Sequence, residues 1–197
     1  MTEHDFTVVS STTEYTGFRF AINRDTVVMP GGEHADRVYM RHPGAVAVVA
    51  VDDDNRIALV RQYRHPVGER LWEIPAGLRD VPEEDPAETA LRELSEEADI
   101  RADHIEHLFD FYPTPGCSDE RIVVFLARDL AEIPEAERHV RDQEEADLEL
   151  AWWHMKDAVD AVFSGRVHNG VTIAAVLAAA RLCDTGDSLL INGHSAR

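Results

Sequence analysis

Apolar and polar positions change their rhythm along this chain, and the changes mark its elements. Phe6-Thr7-Val8-Val9 and the stretch from Phe18 to Val28 mix apolar and polar residues in the manner of strands with one covered face. Pro30-Gly31-Gly32 is a turn. Two continuous apolar runs follow, Ala45 to Val51 and Ile57 to Val60, split by Asp52-Asp53-Asp54-Asn55. Runs of that length without polar interruption predict strands buried on both faces, and the acidic tetrapeptide between them predicts the tip of a buried hairpin. A short strand around Trp72-Glu73-Ile74 stops at Pro75, and further strands are expected over 107–112, 121–127 and 149–153. Helices are expected over 86–98, 156–163 and 170–182. The sum is a mixed α+β domain over residues 41–183. Residues 1–40 form a strand-rich segment too poor in apolar side chains to close a core alone, and 184–197 form a small, polar tail.

The helix over 86–98 carries the chemistry. Asp85 can cap its free amides, Pro86 suits its first position, and Glu88 stands three residues after the cap. Ala87, Leu91, Leu94 and Ala98 make an apolar seam, while Arg92, Glu93, Glu96 and Glu97 occupy the other side. Glu93 and Glu97 are one turn apart, with β-carbons roughly 5–6 Å from each other. Most charged helix faces are solvated and do nothing further. Here three acids crowd the carboxyl end of a helix, where the macrodipole disfavours each by typically ~0.3–1 kcal/mol. A divalent cation would turn both repulsions into attraction, and magnesium is commonly held by one or two carboxylates together with substrate phosphates.

Composition narrows the partners. The 197 residues include 38 Asp plus Glu against 19 Lys plus Arg, a net charge of −19 that argues against nucleic acid. So acidic a chain repels an anionic ligand unless local arginines and a cation hold it. Hydrophobic residues at 44% and charged residues at 29% fit a folded domain and exclude a disordered chain. No apolar run approaches the ~20 residues of a membrane span, no export signal opens the chain, and the only cysteines are Cys117 and Cys183. The expectation is a reduced cytoplasmic protein with no membrane partner. None of the ten histidines forms an HxxxH pair, which speaks against zinc.

The loop before the helix adds a long motif. Pro75-Ala76-Gly77 and the segment to Glu84, followed by Arg92-Glu93-Leu94-Ser95-Glu96-Glu97-Ala98-Asp99-Ile100, closely resemble the box of the Nudix hydrolases. Two departures stand out. Glu84 lies seven residues before Arg92 by the family's spacing, which leaves one extra residue after Gly77, and Asp99 stands where the family has glycine. Asp tolerates the left-handed conformation usual at that position better than most residues do, at some strain. Outside the box, Arg61-Gln62-Tyr63-Arg64 with Leu71 to Gly77, the Thr114–Glu120 segment around Pro115, and Glu144-Glu145-Ala146-Asp147 are similar to the ADP-ribose pyrophosphatase branch of that family.

That resemblance implies a Nudix fold, a mixed sheet between helices (α/β/α), and Mg²⁺-dependent hydrolysis of ADP-ribose to AMP and ribose 5-phosphate, with Mn²⁺ as the substitute ion. It implies that Glu93, Glu96, Glu97 and the Ala76 carbonyl bind two or more metal ions against the diphosphate. Arg64, helped by Arg79, would orient phosphate oxygens. Glu73, Gly116 and Glu120 would meet the rest of the ligand. Glu145 or its neighbour Glu144 would be the general base. It further implies a homodimer built on the N-terminal segment, with Arg37 acting across the interface. Two alternatives stay open: another nucleoside diphosphate derivative as substrate (a sugar nucleotide, a dinucleoside polyphosphate or NADH), and a non-catalytic ADP-ribose sensor.

Overall fold

The two long apolar runs do not pair as one hairpin. In the computed structural model, which describes residues 4–141 and 146–185, they lie in different sheets. Strand β4 (Ala45–Ala50) sits inside a four-stranded sheet, and β5 (Arg56–Arg64) is the middle strand of a three-stranded one; only the bridge Val51–Ile57 links them. A strand apolar on both sides needs a neighbour along each edge and cover on each face, and the two runs cannot all provide this for one another. The acidic corner between them is held by Asp52, whose carboxylate accepts from the Asp54 and Arg56 amides and from Arg56 Nε, while Asn55 takes a left-handed φ of 58°.

The chain begins with β1 (Val8–Thr16), β2 (Ala21–Val28) and β3 (His34–Arg41), an antiparallel sheet in that order. The third strand, a mixed polar run without clear alternation, was not singled out in the sequence. Beyond β4 and β5 come β6 (Glu69–Glu73) and β7 (Ala76–Leu78), then helix α1 (Pro86–Ala98), β8 (Ile100–Phe111), β9 (Ile122–Glu132), β10 (Glu149–His154), α2 (Met155–Phe163) and α3 (Gly170–Thr185). The larger sheet runs β7-β4-β9-β8, with β4 parallel to β9, and the smaller runs β10-β5-β6. β8 starts seven residues earlier than its apolar pattern suggests, because its first half pairs with the far end of β9.

The alternation of β4 sorts its side chains between two cores. Ala45, Ala47, Val49 and Val51 pack with Met155, Ala158, Ala175, Val176 and Ala179 of α2 and α3, whereas Val46, Val48 and Ala50 pack with Ala90, Leu94 and Ala98 of α1. The sheets are therefore covered on both faces by helices, the α/β/α arrangement that the motif implied. On α1 the buried line is Ala90, Leu94 and Ala98; Leu91 is half-buried, so the seam is rotated slightly from the one expected.

Candidate active site

The site begins where β7 meets α1. Asp85 caps the helix by accepting from the Ala87 amide at 2.8 Å, and Pro86 opens the first turn. Thr89 is buried and donates to Glu84 at 2.9 Å, which folds the preceding loop back on the helix. Glu84 also takes Arg92 Nε at 3.4 Å and NH2 at 3.2 Å, so the residue chosen by counting back from Arg92 is the one that meets it. The extra loop residue is absorbed without disturbing α1, and Glu83 takes a left-handed φ of 65°.

Three acids line the carboxyl half of α1. Glu97 is buried and accepts from the Ala76 amide at 2.8 Å, which joins the helix to β7. Glu93 lies over Gly77 so closely that a β-carbon there would overlap its carboxylate. Arg92 NH1 donates to Glu93 at 2.8 Å and to Glu96 at 3.3 Å. Burial alone would lower the Arg92 guanidinium; the hydrogen bond to Glu84 and the charges of Glu93, Glu84 and Glu96 outweigh it and hold it above its ordinary value. The hydrogen bonds from Arg92 and then Thr89 keep Glu84 below its own. Among the described residues no three His, Cys, Asp or Glu side chains stand in ready ligand geometry, since the guanidinium is shared between Glu93 and Glu96. The donor set nevertheless suits a hard divalent cation: carboxylate oxygens on one helix face, above a glycine that leaves them room.

The helix ends on Asp99 at φ 54° and ψ 36°, the left-handed position expected of it. Its carboxylate meets Arg141 NH2 at 2.7 Å, and Arg141 Nε donates to the Glu96 carbonyl at 2.8 Å. A side chain 42 positions away thus satisfies the helix end and offsets its negative charge. Nothing in the local sequence pointed to Arg141.

On the smaller sheet, Glu73 is 3% exposed. Its carboxylate accepts from Arg64 Nε at 3.1 and 3.2 Å, from Arg64 NH2 at 2.6 Å, from Gln62 at 3.5 Å and from Asn169 Nδ2 at 3.1 Å. Glu73 therefore stands behind Arg64, whose own side chain is 40% exposed. Arg79 lies in a cleft near the amino end of α1 with Asp85, His107, Asp110 and Arg121. Burial would raise Asp110, but its hydrogen bonds from Arg121 and His107 prevail and keep it low.

The 114–120 loop is stitched to the end of β3: the Met40 amide donates to the Cys117 carbonyl, the Asp119 amide to the Met40 carbonyl, and the His42 amide to the Asp119 carboxylate. Gly116 is exposed at the tip of this loop, and Glu120 is half-buried, 3.8 Å from His42 Nδ1. Arg37 lies in the N-terminal sheet, donating to the Asp36 carbonyl and to Met29 Sδ. Glu144 and Glu145 lie outside the described residues, as does most of the tail. Asn169 and Thr172, which complete the Glu73 cluster, were missed in the sequence, although an Asn before an apolar helix is a capping signal.

A capped acidic helix fed by a glycine loop, inside an α/β/α sandwich, defines a class, and the comparison with known families agrees. Residues 40–175 match the NUDIX domain, and the chain belongs to that family. It is 47% identical to the ADP-ribose pyrophosphatase of Mycobacterium tuberculosis, covering 90% of this chain and 84% of that one. It is 35% identical to the methanol dehydrogenase activator of Bacillus methanolicus, over 82% and 85% of the two chains. A crystal structure of an ADP compounds hydrolase superposes with a TM-score of 0.77 at 21% identity, covering 94% of this chain and 98% of that one, which confirms the fold.

Proposed function

We propose that this protein hydrolyses the diphosphate of ADP-ribose to AMP and ribose 5-phosphate with the help of a divalent cation, magnesium in the first instance. The observation that carries the reading is the seating of Glu97 on the Ala76 amide and of Glu93 over Gly77, which holds two carboxylates at the strand–helix junction. The likeness to a named ADP-ribose pyrophosphatase over nine-tenths of the chain supports the substrate. Glu93, Glu96 and Glu97, with the Ala76 carbonyl, would hold the metal. Bound there, the ion would supply charge neutralisation at the diphosphate and Lewis acidity toward the attacking water.

The chain's own groups do the rest. Arg92 keeps Glu93 and Glu96 in place through donated hydrogen bonds. Arg64 donates to diphosphate oxygens, with its orientation set by Glu73 behind it. Arg79, Gly116 and Glu120 meet the remainder of the ligand. Glu145, or Glu144 beside it, takes the proton from the attacking water. The water oxygen bonds to one phosphorus, the bridging P–O bond breaks, and two monophosphates leave.

We also read the protein as a homodimer. The outer strand β1 is exposed along its whole length, and Val8, Val9, Tyr15 and Val38 of the N-terminal sheet are exposed. A second copy would cover them and bring Arg37 to its partner's site. The free thiol of Cys117 supports a reducing, cytoplasmic setting.

The test is product identification with ADP-ribose, a sugar nucleotide, a dinucleoside polyphosphate and NADH, each with Mg²⁺, with Mn²⁺ and with excess EDTA. AMP and ribose 5-phosphate formed fastest from ADP-ribose, only with metal, is the expected result. Tight ADP-ribose binding without turnover would replace the enzyme by a sensor.

A further inference from the structure

We propose that Asn169 is a positioning residue for Arg64; the inference rests on the reading above that Arg64 contacts the diphosphate. The amide of Asn169 performs two tasks at once. Its Oδ1 accepts from the Thr172 amide at 3.0 Å and from Thr172 Oγ1 at 3.2 Å, which caps the start of α3. Its Nδ2 donates to Glu73 Oε1 at 3.1 Å. The amide orientation follows from chemistry: an N–H needs an acceptor and a carboxylate needs a donor, and only one arrangement satisfies both.

Thr172 Oγ1 also accepts from the Ile74 amide at 3.1 Å, so the first turn of α3 is bolted to two consecutive residues, the Glu73 side chain and the Ile74 backbone. Asn169 thereby fixes the carboxylate that fixes Arg64. Glu73 is too deeply buried to find a replacement donor in water. With Nδ2 gone, Oε1 keeps only Arg64 Nε among the bonds found here, and the carboxylate can turn. The guanidinium is gripped along its Nε–NH2 edge, so a turn of Glu73 re-aims the whole planar fork.

Capping alone does not require asparagine. Asp and Ser cap helices comparably well, but Asp has no donor for Glu73, and the Ser hydroxyl, one bond shorter than the Asn amide nitrogen, stops short of Glu73 when its oxygen serves α3. Substitution at this position can therefore separate the two tasks. Asn169→Asp and Asn169→Ser keep the cap and remove the donor; Asn169→Ala removes both.

The experiment measures kcat and KM for ADP-ribose with Mg²⁺, alongside melting temperature, for Asn169→Asp, Asn169→Ser, Arg64→Ala and the double variant Arg64→Ala/Asn169→Asp. Asn169→Ser should melt within a few degrees of the parent and Asn169→Asp somewhat lower, since its carboxylate faces that of Glu73, yet both should stay folded and raise KM about tenfold, with a smaller change in kcat. In the Arg64→Ala background, Asn169→Asp should cost less than about twofold more, because the residue it orients is gone. If Arg64→Ala raises KM while Asn169→Asp and Asn169→Ser leave it at the parent value, the inference fails and the role of Arg64 stands. An equal cost of Asn169→Asp with and without Arg64 would also overturn the inference. If Arg64→Ala itself changes neither constant, the assignment of Arg64 is wrong and the inference falls with it.

Discussion

Gly77 has no room for a side chain beneath Glu93. Its missing side chain is the space that the Glu93 carboxylate fills. Gly77→Ala should push that carboxylate off β7 and lower kcat/KM by about 10²-fold or more, a misplacement effect, while the sandwich itself stays folded. Paired steady-state kinetics and far-UV circular dichroism check this. Glu84 offers a residue-scale test in pH. Its folded pKa is depressed below the ordinary 4.5, first by the Arg92 hydrogen bond and then by that of Thr89. A depressed acid stabilises the fold fully above its unfolded pKa, and loses that contribution as pH falls through the folded value. The melting-temperature gap between the parent and Glu84→Ala should therefore be widest near neutrality and close progressively below about pH 4.5. A gap that widens in acid would contradict the Arg92–Glu84 pairing as its source.

At the scale of elements, the end of α1 is where sequence and structure complement each other. Asp99 in the glycine position foretold a left-handed cap at some strain, and φ is indeed positive. What compensates it could not be seen locally, because Arg141 arrives from beyond β9. Arg141→Ala should leave Asp99 largely buried with only the longer contact to Arg138 Nε at 3.9 Å, and lower stability by about 1–3 kcal/mol in urea unfolding. Adding Asp99→Gly should restore most of that loss, since glycine suits the conformation and removes the stranded charge. Additive losses in the double variant would show that the pair is not the source. The pairing of β4 and β5 teaches the converse. Their apolar runs announced double-sided burial correctly, yet sequence proximity suggested a hairpin where two separate sheets exist. Burial is written in side-chain type, whereas strand partners are chosen by contacts distant in sequence.

For the whole molecule, β2 of the N-terminal sheet is partly buried through Asn23 and Val27, whereas β1 is exposed along its length. Sedimentation of the parent should show a dimer, and Val9→Asp should shift it toward monomer with a substantial fall in activity, if Arg37 acts across the interface as proposed. A monomeric parent with full turnover would remove the dimer from the account. No helix among the described residues is long and apolar enough to cross a membrane.

By itself the sequence determined the motif helix with its cap, its acids at the carboxyl end and its glycine loop, and a mixed α+β pattern whose sandwiched arrangement the family resemblance implied. These are local matters: periodicity, capping chemistry and charge placement act within a few turns of chain. Only the tertiary structure decided which strands share a sheet, that Glu73 stands behind Arg64, and that Asn169 and Arg141 reach the two ends of the site. Such contacts join residues tens of positions apart, and they form only when burial of the two cores brings their backbones together.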